Sequence, residues 1–133
     1  MISGRCECGR VRYEVDGAIV DFSHCHCSQC RRLHGAAYAT FAGVLRKNFR
    51  YVSGEEDVRV YASSEKNDRV FCGICGSAIL VASSQYPDYL YLSMSTVQGD
   101  PPRPEGYHQY VSSKAPWHEI TDGLKQYAVE PPD

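Results

Sequence analysis

The chain has 133 residues, 43% of them hydrophobic and 23% charged, enough for one domain with a modest core. That balance excludes collagen, a coiled coil and a disordered chain. A formal net charge of -2 lacks the basic footprint of a nucleic-acid binder, and no apolar run approaches the ~18 residues of a membrane span.

In chain order, the N-terminal MISGRCECG has no apolar signal core, so a cytoplasmic protein is expected. Residues 10–16 alternate, with Val11, Tyr13 and Val15 on one face and Arg12 and Glu14 on the other, the pattern of a half-buried strand. Residues 18–22 read as a second strand. Residues 28–33 read as a short helix, capped by Ser28 and ended by Gly35. Further strands are expected at 37–41, 49–52, 58–61, 69–72, 78–81, 89–93, 107–111 and 124–129. Residues 99–106 hold three prolines and must be a loop, because proline lacks the donor a ladder needs. Many short strands between Gly, Pro, Asn and Asp breaks indicate a mainly β fold. One domain spans residues 1–130, with 131–133 as a frayed tail.

Seven cysteines, an odd number with no signal peptide, argue for metal ligation rather than a disulfide framework. They fall into three groups: Cys6-x-Cys8, Cys25-x-Cys27-x-x-Cys30 and Cys72-x-x-Cys75. Zinc takes four ligands in a tetrahedron, so two partitions are open. In one, Cys6, Cys8, Cys72 and Cys75 close a structural site and the central triplet keeps a free position. In the other, the triplet takes a histidine and both sites are closed. On a strand, Cys25 and Cys27 share one face and His24 and His26 the other, which makes His26 a poor fourth ligand. His34 lies one helical turn beyond Cys30 and could reach.

The segments CECGRVRYEV, CHCSQCRRLHG, FCGICGSAI and SSKAPWHEITDGL, in this order, resemble the glutathione-dependent formaldehyde-activating enzyme family, which includes centromere-protein-V-like members. The resemblance covers residues 4–127. It implies a β-tent of twisted antiparallel sheets with one short helix, stapled by a structural zinc on Cys6, Cys8, Cys72 and Cys75. It also implies a catalytic zinc on Cys25, Cys27 and Cys30, hence two zinc ions per chain. The implied activity is carbon–sulfur lyase or ligase chemistry on a glutathione or other thiol adduct of an aldehyde, such as S-hydroxymethylglutathione.

A zinc-held thiolate adding to an aldehyde, or leaving from its adduct, needs a proton carrier. His26 is the expected one, with His34 the other nearby histidine. Arg31 and Lys114 are candidate anchors for glutathione carboxylates, as is Arg32. Tyr38, following the Gly35 turn, and Trp117 are candidate pocket walls. The competing expectations are a zinc-stapled binding module without turnover, and a thiol or metal sensor.

Overall fold

A computed structural model describes residues 1–132. Among them the chain forms eleven strands and one α-helix. The strands are β1 (Ile2–Arg5), β2 (Arg12–Val15), β3 (Asp21–Cys25), β4 (Ala39–Leu45), β5 (Phe49–Ser53), β6 (Val58–Ala62), β7 (Asn67–Cys72), β8 (Ala78–Ser83), β9 (Tyr89–Ser93), β10 (Tyr107–Gln109) and β11 (Lys125–Gln126). Helix α1 (Ser28–His34) joins β3 to β4. The fold is mainly β, as its sequence pattern predicts.

Two sheets carry the strands. The smaller has the order β1-β2-β5, and the larger β11-β10-β3-β4-β9-β8-β7-β6. One apolar core draws on both: Ile2, Tyr13 and Val15 from the small sheet cluster with Phe22, Ala42, Val44, Leu80, Leu90 and Leu92 from the large one. Burying a side chain such as Leu92 is worth about 2–3 kcal/mol, so this cluster is the main driving force for joining the sheets. Tyr13 is 1% exposed and settles its hydroxyl on Thr96 Oγ1 at 2.8 Å.

Several boundaries differ from the sequence expectation. The strand expected at 18–22 begins only at Asp21, and its pairing runs Asp21↔Gly43 to Cys25↔Ala39. This shift puts Cys25 at the strand's end, on the large sheet. Strand β1 is unexpected from sequence, since Ser3, Gly4 and Arg5 carry no apolar alternation. Gly4 is there because the Tyr13 ring fills the space of a side chain, 2.2 Å from where a Cβ would sit.

The antiparallel expectation also fails at one edge. β10 pairs in parallel with both β3 and β11, so the large sheet is mixed. The long 99–106 loop carries the chain back to run alongside β3. The strand expected at 107–111 stops at Gln109 because Tyr110 adopts φ 57, which breaks the extended backbone. That expected at 124–129 shrinks to Lys125–Gln126. Its continuation still follows Tyr110 through backbone bonds, Tyr110 N–H to Val129 O at 3.2 Å and Ser112 N–H to Ala128 O at 3.2 Å. Pro131 and Pro132, in the stretch expected to fray, line a cavity; residue 133 lies outside the described residues. No helix among the described residues is long and apolar enough to cross a membrane.

Candidate metal centres and the thiol-lined cavity

The turn between β1 and β2 and the turn between β7 and β8 face each other. In the first, Cys6 N–H bonds Val11 O at 3.0 Å and Gly9 N–H bonds Cys6 O at 3.1 Å. In the second, Gly76 N–H bonds Cys72 O at 2.8 Å and Cys72 N–H bonds Ser77 O at 2.9 Å. Gly76 has φ 82, a left-handed conformation that glycine adopts without steric cost. Together the turns bring Cys6, Cys8, Cys72 and Cys75 sulfurs within 4.8 Å of one another.

This set fits a zinc ion. A tetrahedron with Zn–S near 2.3 Å separates its sulfurs by about 3.8 Å. Cys6 and Cys8 Sγ are 3.5 Å apart, and Cys8 and Cys72 Sγ 3.8 Å. All seven cysteines are free thiols. Backbone N–H groups donate to the sulfurs, Val11 to Cys6 at 3.3 Å and Ile74 to Cys72 at 3.4 Å. The Ser77 hydroxyl beside Cys75 draws that thiol down to about 5. Cys6 and Cys72 are buried in the core, so an ion here would tie both turns to it.

The second cluster gathers Cys25, Cys27 and Cys30, again within 4.8 Å. Cys25 ends β3. Cys27, rather than Ser28, caps α1, its sulfur accepting from Cys30 N–H at 3.2 Å. The helix turn then brings Cys30 back onto the other two, and Gly35 ends the helix as expected. Hydrogen bonds with Cys25 and Cys30 hold the Cys27 thiol far below its ordinary value, while the same bond pushes Cys25 up. This donor set too could hold a zinc ion. Among the described residues no histidine, carboxylate or further cysteine joins the three sulfurs. His34 instead packs edge-on against Phe41, ring centroids 5.5 Å apart.

These three cysteines line a cavity of about 630 Å³. Its other walls include Phe41, Val81, Tyr91, Tyr107, Tyr110, Gln29, Arg69 and Glu130. The Tyr107 hydroxyl donates to Asp21 Oδ1 at 3.1 Å, and the Tyr110 hydroxyl to Glu130 Oε1 at 2.9 Å. Burial, with the Glu130 bond added, pushes Tyr110 up to about 12, so it stays protonated. Among the described residues Tyr110 is the one non-glycine with positive φ. That conformation costs roughly 1–2 kcal/mol, and such outliers concentrate at functional sites.

None of the expected acid/base and substrate-binding residues lines this cavity. His26, one residue past β3, packs with His24 on the His108 ring, away from the sulfurs, and is 0% exposed. Its Nε2 lies 2.8 Å from His108 Nδ1, and His108 Nε2 lies 2.9 Å from Asp122 Oδ2. The carboxylate can only accept, so it fixes a proton on His108 Nε2, and His26 Nε2–H then donates to His108. Tyr38 packs in the same group, 4.9 Å from the His26 ring. Lys114 folds onto the carbonyls of Ala115 and His118. Trp117 is 71% exposed and, with Lys114, borders a separate surface depression. Arg31 and Gly35 sit in the helix end, where Gly35 N–H bonds Arg31 O.

Three cavity residues were invisible to sequence reasoning. Arg69 arrives from β7, Tyr110 from the end of β10 and Glu130 from the C-terminal segment. None belongs to a local motif; only the sheet order brings them to the cysteines.

A mainly β fold with one four-cysteine and one three-cysteine cluster defines a protein with two sulfur sites that could each hold a metal ion. The family model described as glutathione-dependent formaldehyde-activating enzyme matches residues 1–113, and the chain belongs to that family. A Halomonas elongata protein provisionally named glutathione-dependent formaldehyde-activating enzyme is 29% identical over 127 residues, 90% of this chain and 81% of that one. A Schizosaccharomyces pombe protein named as an uncharacterized lyase is 30% identical over 79 residues, 59% of this chain and 56% of its own length. The crystal structure of a Rhodobacter sphaeroides protein is similar at TM-score 0.62 and 27% identity, over 75% of this chain and 91% of that one.

Proposed function

We infer that the chain is a zinc-dependent carbon–sulfur lyase or ligase acting on the thiol adduct of an aldehyde, S-hydroxymethylglutathione being the adduct the family name suggests. One observation carries the reading: three cysteine sulfurs converge on a cavity and no fourth protein ligand joins them among the described residues. The other cluster, with four, is the structural site. A cavity of about 630 Å³ is within the range of small-molecule sites.

Zinc on Cys25, Cys27 and Cys30 would supply a Lewis-acid position that keeps an incoming thiol as thiolate near neutral pH. The chain's own residues do the rest. Phe41 and Val81 keep one wall dry. In the forward direction the adduct's carbon–sulfur bond breaks, the electron pair stays on sulfur, and the hydroxyl proton leaves with formation of the carbonyl. Tyr110 passes that proton to Glu130, to which its hydroxyl is already bonded. In reverse, Tyr110 gives a proton to the carbonyl oxygen and Glu130 replaces it.

The test is a turnover assay on protein loaded with both metals, using glutathione with formaldehyde and with a panel of larger aldehydes. Adduct formation or cleavage above the uncatalysed rate is expected. No response to any aldehyde, with both metals bound, leaves the non-catalytic binding module.

A further inference from the structure

We propose that Arg69 is a positioning residue for the open metal site, where its guanidinium offsets the charge of the cysteine triplet so that a fourth, anionic sulfur can bind. The proposal rests on the reading of Cys25, Cys27 and Cys30 as metal ligands. Its content is that one arginine sets how readily they accept a thiolate.

Arg69 stands on β7, thirty-nine residues from Cys30. Its Nη1 and Nη2 both donate to Cys30 Sγ at 3.5 Å. Nη2 also donates to Gln29 Oε1 at 3.0 Å, and Nε to Ser63 Oγ at 3.3 Å. Gln29 is itself pinned, its Nε2 donating to Ser63 O at 3.1 Å. The guanidinium is therefore held in a frame that aims it at a sulfur, not left on the surface. Among the described residues it is also the one lysine or arginine lining the cavity.

The charge it meets is substantial. A dication with three thiolates is formally -1, and a fourth thiolate makes it -2. Glu130 and Asp21, the carboxylates on the same cavity, add to the negative field. A fixed cation touching Cys30 cancels one unit beside the metal, where low dielectric makes it count most. Arginine suits this because it stays protonated, and sulfur-directed hydrogen bonds from residues around a metal tune the metal itself.

Arg69 is poorly placed for the other obvious task, clamping a substrate carboxylate. Of the five N–H groups a guanidinium carries, the four contacts above use four. A bidentate clamp needs two free ones.

The experiment compares the parent protein with Arg69→Gln and Arg69→Lys. Zinc affinity of each site is read by chelator competition, with the four-cysteine site as internal reference. Thiol affinity is read on cobalt-loaded protein from the visible sulfur-to-cobalt absorption, using neutral 2-mercaptoethanol and carboxylate-bearing 3-mercaptopropionate. Arg69→Gln is expected to weaken second-site zinc and both thiols by ~10-fold or more, the range for residues that support metal ligands, and to leave the reference site unchanged. Arg69→Lys, which keeps the charge, should recover most of both. Unchanged affinities in Arg69→Gln overturn the proposal. A loss confined to 3-mercaptopropionate makes Arg69 a carboxylate anchor instead, and Arg69→Lys as weak as Arg69→Gln makes it a steric brace; either overturns the charge role. Thermal melts accompany both variants, and if Arg69→Gln does not fold, loss of thiol binding in folded Arg69→Lys overturns the proposal by itself. A parent that binds neither thiol would sink the proposed function, while the zinc-affinity comparison still decides the role of Arg69.

Discussion

His26 Nε2 and His108 Nδ1 meet at 2.8 Å behind the cysteine triplet, although eighty-two residues separate them in sequence. The bond ties the residue just after β3 to the parallel neighbour β10, and Asp122 anchors the far side of His108. His26 is thus tied between the two cysteines it separates, not free to shuttle protons into the cavity. Its remaining ring nitrogen is buried without a partner.

An acid sensitivity follows. Burial, then the neighbouring His108, His118, His24 and Lys114, push His26 down to about 4 from an ordinary 6.5. The folded pKa lies below the unfolded one, so between these values the unfolded chain binds more protons. Stability is therefore full above pH 6.5 and falls as pH drops toward 4. Stability should fall progressively between pH 6.5 and pH 5. Urea melts of metal-loaded protein across that interval measure it. His26→Gln should be less stable at pH 7 yet show a shallower pH dependence; an identical slope would place the sensitivity elsewhere.

The two cysteine clusters should fail differently. Cys6 and Cys72 are part of the apolar core, and an ion on their cluster ties two turns to it. A structural zinc contributes on the order of 10 kcal/mol, comparable with the whole stability of a small domain. Cys75→Ser should therefore unfold or aggregate the protein. Cys27→Ser should keep the fold and bind one zinc fewer. Metal analysis with thermal melting of both variants checks this, and equal destabilisation would contradict the division of labour.

Tyr110→Phe removes one hydroxyl and leaves the ring in place. The expected result is a fall in kcat of roughly 100-fold, the lower end for loss of a positioned proton carrier. Metal content and melting temperature should stay near the parent's, since the hydroxyl bonds only an exposed carboxylate, Glu130. Glu130→Gln should lower kcat in the same way. An undiminished rate in both variants would remove this pair from the chemistry.

Much of the strand inventory was legible because short Val-, Tyr- and Phe-rich runs between turn residues leave little else to form. What escaped was set by tertiary pairing. β1 lacks alternation and exists because it hydrogen-bonds β2 with Gly4 making room for Tyr13. The parallel edge depends on where the 99–106 loop returns the chain, which no local pattern encodes. The cysteine spacings made the four-and-three division visible as one of two choices, and His26 was correctly set apart from Cys25 and Cys27, although it lies one residue past β3. Tyr38 and Arg31 stand near the triplet in sequence yet do not line the cavity, Tyr38 packing instead on the His26 ring. Arg69 could not be found this way, since nothing in NDRVFC marks an arginine that will face a cysteine on another element.

The central claim is that the second cluster offers three protein sulfurs and a position for a fourth from outside. Cadmium-113 NMR of fully cadmium-substituted protein tests it most directly, because the shift reports how many sulfurs surround each ion. Two signals are predicted, and one equivalent of a small thiol should move just one of them into the four-sulfur range. Two signals already in that range and indifferent to thiol would contradict the account.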